Sequence, residues 1–317
     1  MKELRDGMEQ NQEVARVLAQ VKKAVVGKDG VLIRIMLAVL ARGHVLLEDI
    51  PGVGKTTMAL AFSKALGLSY RRVQFTPDVM PSDLTGFSVY NKAAGRMEYQ
   101  PGALMCSLFL ADELNRATSR TQSALLEAME EGQVTVDGVT HPIPQPFLVI
   151  ATQNPAGASG TQLLPKSQLD RFTLRLSIGY PAFQDEVTMV RQRQGASPMN
   201  RVEQVMEPQG LERLRQQVGS VYLADEVLDY LVRLIGATRA HPMIRQGASP
   251  RATLSLTAVS QAMAFVRDRD YVVPEDVAAV FRDVIGHRVV YAAQAPREGN
   301  PDPLAEVLRS VKAPSIR

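Results

Sequence analysis

Pro51-Gly52-Val53-Gly54-Lys55-Thr56-Thr57 follows a short apolar run at residues 45–47 and the acids Glu48 and Asp49, and it opens a helical pattern over residues 57–66 that Gly67 stops. A strand, a glycine-bearing loop and a helix in that order form a cradle for phosphate. The glycines let backbone amides turn toward the β- and γ-phosphates, and the helix N-terminus adds a favourable potential. Lys55 supplies a point charge, and the Thr56 hydroxyl reaches magnesium. Pro51, Gly52, Val53, Gly54, Lys55, Thr56 and Thr57 are therefore the expected nucleotide contacts. The strict motif has glycine five residues before Gly54, where this chain has Asp49. Standing alone, Gly-Val-Gly-Lys also describes an ordinary turn into a helix, so the rest of the chain has to decide.

Working outward, residues 29–41 crowd apolar side chains at helical spacing ahead of the loop. Beyond it, apolar runs at 107–111 and 147–152 end in Asp112-Glu113 and Gln153-Asn154, the pattern of buried strands. Residues 121–131 form a helix between them. GQVTVDGVTHPI alternates about Asp137-Gly138, and GFSVYNKAAGRMEYQPG turns near Ala94-Gly95, so both predict hairpins. Strands alternating with helices imply an α/β fold with a mainly parallel sheet covered on both faces. FTLRLSIGYP closes this region, and residues 184–290 read almost entirely as helices, with Ser249 and Asp276 near two helix starts. The expected division is a core at 1–180, a smaller helical lid at 181–294 and a proline-bearing tail at 295–317 holding one short helix over 304–311.

The carboxyl ends of the strands are where such sheets bind ligands. Asp112 there would hold magnesium through water, and Glu113 would orient or deprotonate an attacking water. Asn154 could hydrogen-bond the γ-phosphate or that water, although Asn-Pro is an equally good turn pair. Arg171, in Gln168-Leu169-Asp170-Arg171-Phe172, has the character of an arginine finger reaching a neighbouring subunit's nucleotide, or of an arginine paired with Asp170 or a surface acid. Arg251, in Ser249-Pro250-Arg251, opens a lid helix and could reach back to the phosphates, or stand solvated in its first turn.

Composition removes other classes. A formal charge of +3 spread along 317 residues does not mark a nucleic-acid binder. The one cysteine, Cys106, sits among Met105, Ser107 and Leu108 as a small packed residue, in keeping with a reducing cytoplasm. The N-terminal stretch lacks the apolar region of a secretory signal, and Arg34, Arg42 and His44 interrupt the longest apolar run, so no membrane span is expected. His44, His141, His241 and His287 show no metal-ligand spacing, leaving magnesium with nucleotide as the expected metal.

LLEDIPGVGKTT, FLADELNRATSRTQSALLEAMEEGQVTVDG, VIATQNP, QLDRF and GASPRA occur in the order found in MoxR-type AAA+ ATPases, and the chain resembles that family across about three quarters of its length. By resemblance Asn154 matches sensor 1, Arg171 the arginine finger and Arg251 sensor 2. The Asp137-Gly138 hairpin matches the insertion before sensor 1, and the segment from Asp83 to Gly102 the insertion in the second helix. Val26 and Gly27, in Val25-Val26-Gly27-Lys28, match the segment beside the adenine. The resemblance implies a P-loop AAA+ αβα core with a helical lid, binding ATP and Mg2+ in a ring, typically a hexamer. It also implies chaperone-like remodelling or metal insertion on a protein client, often with a partner carrying a von Willebrand factor A domain. Two segments depart from the family: Ala158-Ser159-Gly160 lacks its usual acid, and Pro165-Lys166-Ser167-Gln168 replaces Pro-Glu-Ala-Gln.

Two further readings compete with a ring ATPase. One is a nucleotide-gated assembly module with little turnover. The other is a nucleic-acid motor, which predicts basic or aromatic hairpin tips, whereas Val136-Asp137-Gly138-Val139 is acidic and residues 91–96 carry only Lys92 and Arg96.

Overall fold

The computed structural model describes residues 11–50, 52–154, 164–193, 197–292 and 302–315. From the amino end run α1 (Gln12–Lys22), α2 (Asp29–Leu40), β1 (Val45–Glu48), α3 (Lys55–Ala65), β2 (Tyr70–Gln74), α4 (Pro81–Thr85), β3 (Gly86–Asn91) and β4 (Arg96–Pro101). Next come β5 (Leu108–Asp112), α5 (Ser119–Glu131), β6 (Gln133–Val136), β7 (Val139–Pro142), β8 (Leu148–Gln153), α6 (Lys166–Leu169) and β9 (Leu174–Leu176). The remainder is α7 (Phe183–Arg193), α8 (Pro208–Gly219), α9 (Asp225–Ala240), β10 (Ile244–Gln246), α10 (Pro250–Val266), α11 (Pro274–Ile285), β11 (Val290–Tyr291) and α12 (Pro303–Ser310).

Five strands form one parallel sheet in the order β2-β5-β8-β1-β9. Side chains of β5 and β8 feed two cores alternately: Leu108, Leu110, Leu148 and Ile150 join α2 and α3 on one face, while Phe109, Ala111, Val149 and Ala151 join α5 on the other. Burial on both faces is why these strands read as unbroken apolar runs. β2 is the exception. As the sheet edge it exposes Arg71, Arg72 and Gln74, so its sequence carries no apolar run. Register places Gln74 opposite Asp112 and Glu48 opposite Gln153, so the strand ends with chemistry line up along one sheet edge.

Both expected hairpins form, as β3–β4 and β6–β7, with Asp137 and Gly138 at positive φ in the second turn. They meet where the Tyr99 and His141 rings stack at 3.7 Å. Helices α7 to α11 follow the sheet, with β10 and β11 as a small antiparallel pair absent from the sequence reading. Ser249 caps α10, its Oγ accepting from the Ala252 amide. Asp276 stands in the first turn of α11, at its third position, where it caps the helix start. Its buried carboxylate accepts from the Val273 amide and from Arg267 and Arg269. Among the described residues no helix is long and apolar enough to cross a membrane.

Candidate nucleotide site

Helix α3 begins at Lys55, two residues earlier than its apolar pattern suggests, because Gly54 at φ 92° ends the loop and hands its carbonyl to Met58. Gly52 is also left-handed, at φ 86°, and a Cβ added to either glycine would meet nothing within 4 Å. The loop backbone therefore faces open space. Lys55 is buried and donates from Nζ to the Asp49 carbonyl at 2.6 Å. Burial pulls its ammonium below the usual lysine range, while the charges of Asp49, Asp112 and Glu113 support it. Thr56 and Thr57 are half-buried in the first turn of α3, and Pro51 lies outside the described residues.

One threonine links the two acids. Thr152 donates from Oγ1 to Asp112 Oδ1 at 2.7 Å and accepts from the Glu113 amide at 2.8 Å. The backbone of Glu113 sits at φ 58°, a conformation few non-glycine residues adopt, which turns the chain sharply out of β5. Asp112 Oδ2 accepts Nη2 and Nε of Arg72 at 2.7 and 3.2 Å, and Glu113 Oε2 accepts Arg116 Nη1 at 2.9 Å. Asn154 is held through its backbone. The buried Asn115 side chain donates to its carbonyl at 3.2 Å and accepts from its amide at 3.3 Å. Thr152, Arg72 and Asn115 were missed in sequence. For Asn115 the available signal was an amide side chain just after Asp112-Glu113.

Arg171 and Arg251 converge elsewhere. Arg171 Nε donates to Glu130 Oε2 at 2.9 Å, and Arg251 Nη2 binds the other oxygen of the same carboxylate. Glu130 sits in the last turn of α5, and its carboxyl group is held below the usual range by hydrogen bonds from Arg171 and Arg251. Among the described residues neither arginine bonds to the phosphate loop. The lid docks so that α10 presents Arg251 beside Arg171, with both on Glu130. Behind the pair, Ser249 Oγ donates to Asp170 Oδ2 at 2.9 Å. Arg288, almost fully buried, donates to Asp170 Oδ1 and to the carbonyls of Asp170, Phe172, Thr173 and Val284, locking lid to sheet.

The segment expected beside the adenine lies against the first helix beyond the sheet. Gly27 has φ 72°, and a Cβ there would fall 2.0 Å from the Asp185 carboxylate of α7. Val26 is half-buried next to it. The departing segment at 158–160 lies outside the described residues, and Lys166 donates to the Val289 carbonyl at 3.3 Å. Among the described residues no group of three or more histidine, cysteine or acidic side chains is placed to hold a metal ion. Cys106 is packed, with burial pushing its thiol up to about 11. An open cradle of amides, a buried lysine, a threonine hydroxyl and a carboxylate are hard, anion- and magnesium-compatible donors, so these residues fit a Mg-nucleotide.

A parallel sheet in this strand order, with a phosphate loop and paired acids along one edge and helices packed beyond it, defines the AAA+ class of P-loop ATPases. Family models agree: residues 44–174 match the ATPase family associated with various cellular activities (AAA), and residues 236–307 match the AAA lid domain. YeaC of Bacillus subtilis is 42% identical over 306 residues, covering 96% of both chains. Chaperone MoxR1 of Mycobacterium tuberculosis is 38% identical over 312 residues, 95% of this chain and 82% of that one. A solved structure from Cytophaga hutchinsonii, described as a candidate ATPase, is similar with a TM-score of 0.88 at 35% identity, covering 96% of each chain. The chain belongs to the MoxR family of AAA+ ATPases.

Proposed function

We propose that this protein binds and hydrolyses Mg-ATP as a homo-oligomeric ring, a hexamer by family resemblance, and uses the cycle for chaperone-like remodelling or metal-insertion maturation of a protein client. The relative named chaperone MoxR1 supports the client role. A partner with a von Willebrand factor A domain and a cytoplasmic setting complete the reading. The division is a core at 1–180, a lid at 181–294 and a tail at 295–317.

In this reading Val26 and Gly27 would flank the base, residues 51–57 would bind the phosphates, and Thr56 and Asp112 would hold the magnesium. The metal supplies charge neutralisation on the phosphates when bound. Lys55 steadies the phosphate charge, Asn154 and Glu113 position the attacking water, and Glu113 accepts its proton. Arg171 stabilises transition-state charge on the adjoining subunit's nucleotide, and Arg251 acts with it. One observation carries the ring reading: two arginines from the sheet region and the lid meet at a single carboxylate instead of at their own chain's phosphate loop.

A second reading, the nucleotide-gated module with little turnover, draws on the Arg116 guanidinium that occupies the Glu113 carboxylate. Steady-state hydrolysis against protein concentration separates the two. A ring enzyme shows specific activity that rises with concentration and is lost in Glu113→Gln and Arg171→Ala, both of which still bind ATP. Wild type that binds ATP but turns over no faster than Glu113→Gln, at any concentration, supports the module.

A further inference from the structure

Asp49 stands where the strict phosphate-binding motif has glycine, and it makes contacts no glycine could make. Its Oδ2 accepts from Ser177 Oγ at 3.1 Å, from the Ile178 amide at 2.5 Å and from the Gly179 amide at 2.6 Å, while Oδ1 accepts from the Ile50 amide at 2.9 Å. Its carbonyl holds Lys55 Nζ at 2.6 Å. One buried residue thus touches the phosphate loop through its backbone and residues 177–179 through its side chain. Those residues begin the linker from β9 to α7. Lys28 grips the same linker from the other direction, donating from Nζ to the carbonyls of Ile178, Gly179 and Tyr180 at 2.9, 3.0 and 2.8 Å. Burial alone would push the Asp49 carboxyl up, but the amides of Gly179, Ile178 and Ile50 outweigh it and keep the group charged.

We propose that Asp49 is a positioning residue that couples the phosphate loop to the linker entering the lid. The ammonium that now saturates its carbonyl is the group an incoming nucleoside phosphate requires. As Lys55 turns to the phosphate, it leaves the Asp49 carbonyl, and the Asp49 carboxylate holds the linker amides more tightly. The proposal rests on the nucleotide reading of residues 52–57 and adds a route by which occupancy reaches the lid. It also accounts for an acid at the position of the missing glycine, since glycine would leave the linker amides without their acceptor.

Hydrogen–deuterium exchange of peptides spanning 174–183, with and without Mg-ADP, tests the coupling. In wild type, ADP slows exchange at 177–180 by about fivefold or more, as expected when local opening is suppressed. Asp49→Ala binds ADP within about threefold of wild type on a fluorescent-nucleotide titration, yet its linker no longer responds to ADP. Lys28→Met, which loosens the linker without touching the loop, speeds basal exchange but keeps the ADP response. Asp49→Asn matches the native side chain in size and carries the test if Asp49→Ala does not fold, with its response at least halved. Wild type that binds ADP without slowing at 177–180, or an Asp49 variant with the full wild-type response, overturns the coupling. Failure of wild type to bind ADP overturns the nucleotide reading itself.

Discussion

Arg171 and Arg251 share one carboxylate, that of Glu130, although one arises beside β9 and the other from the first turn of α10. Ser249 and Asp170 are bonded immediately behind them, so the contact between lid and sheet brings the two arginines to one place. Glu130 is exposed enough that its pairings contribute little to stability. In the proposed ring, the pair would offer two cations to a nucleotide held by the adjoining subunit. Arg171→Ala and Arg251→Ala are each expected to lower kcat about a hundredfold or more while leaving ATP affinity of the dilute chain unchanged. Arg171→Lys should rescue little, because a point charge does not replace a planar fork. Steady-state kinetics beside nucleotide titrations check this. Weakened ATP binding by dilute Arg251→Ala with normal kcat would return that arginine to its own chain's phosphates.

Thr152 is buried and is the only described side chain bonded to both the Asp112 carboxylate and the Glu113 amide. Valine matches its shape but removes the hydroxyl, leaving a carboxylate oxygen and an amide short of a partner. Thr152→Val should cost about 1–3 kcal/mol in urea unfolding and raise the magnesium concentration needed for half-maximal ATP binding. A variant with wild-type stability and an unchanged magnesium requirement would show that the hydroxyl positions neither acid.

Arg72 neutralises Asp112 from the sheet edge, donating twice to Oδ2. A cation approaching that oxygen meets this positive charge. Arg72→Ala is therefore expected to lower the magnesium concentration needed for ATP binding by severalfold at low salt, with the difference shrinking as ionic strength rises. Titrations at two salt concentrations decide it; an increased magnesium requirement would mean that Arg72 orients Asp112 rather than competing for it.

The central strands, the phosphate loop and the hairpins were legible because each is decided by local rules: unbroken apolar runs for β1, β5 and β8, glycine before Lys55, and Asp-Gly at a two-residue turn. β2 was not, since an edge strand needs polar residues on its open side and Tyr70-Arg71-Arg72-Val73-Gln74 carries no buried pattern. Residues of the site that lie at strand ends could be named from sequence, because strand ends are visible there. Glu130, Thr152 and Arg72 could not, for their importance comes from partners 40 or more residues away: Arg171 for Glu130 and Asp112 for both others. Arg251 shows the same limit from the other side. Its helix start was readable, but the docking that turns it toward Arg171 depends on Arg288 and Asp170, a contact across 118 residues.

His44 gives a pH prediction with a definite sign. It is buried between α5 and β8, with one ring nitrogen against the Met129 carbonyl at 3.1 Å and the other accepting the Val149 amide at 3.0 Å, so the ring is a neutral strut. Burial lowers its pKa from 6.5 to about 4; the Met129 carbonyl opposes this, and Arg215 adds to it. Above pH 6.5 the ring is neutral folded or unfolded and stability does not depend on it. Between pH 6.5 and about 4 the unfolded chain takes up a proton that folded His44 refuses, so stability falls with pH, by about 3 kcal/mol in all, and levels off below that window. His287, buried and also shifted down, adds to the same slope. His44→Gln keeps a donor and an acceptor but cannot titrate, so urea unfolding at pH 7.5, 5.5 and 4.5 should give a shallower decline than wild type. Equal declines would mean that the acid sensitivity of this protein arises elsewhere.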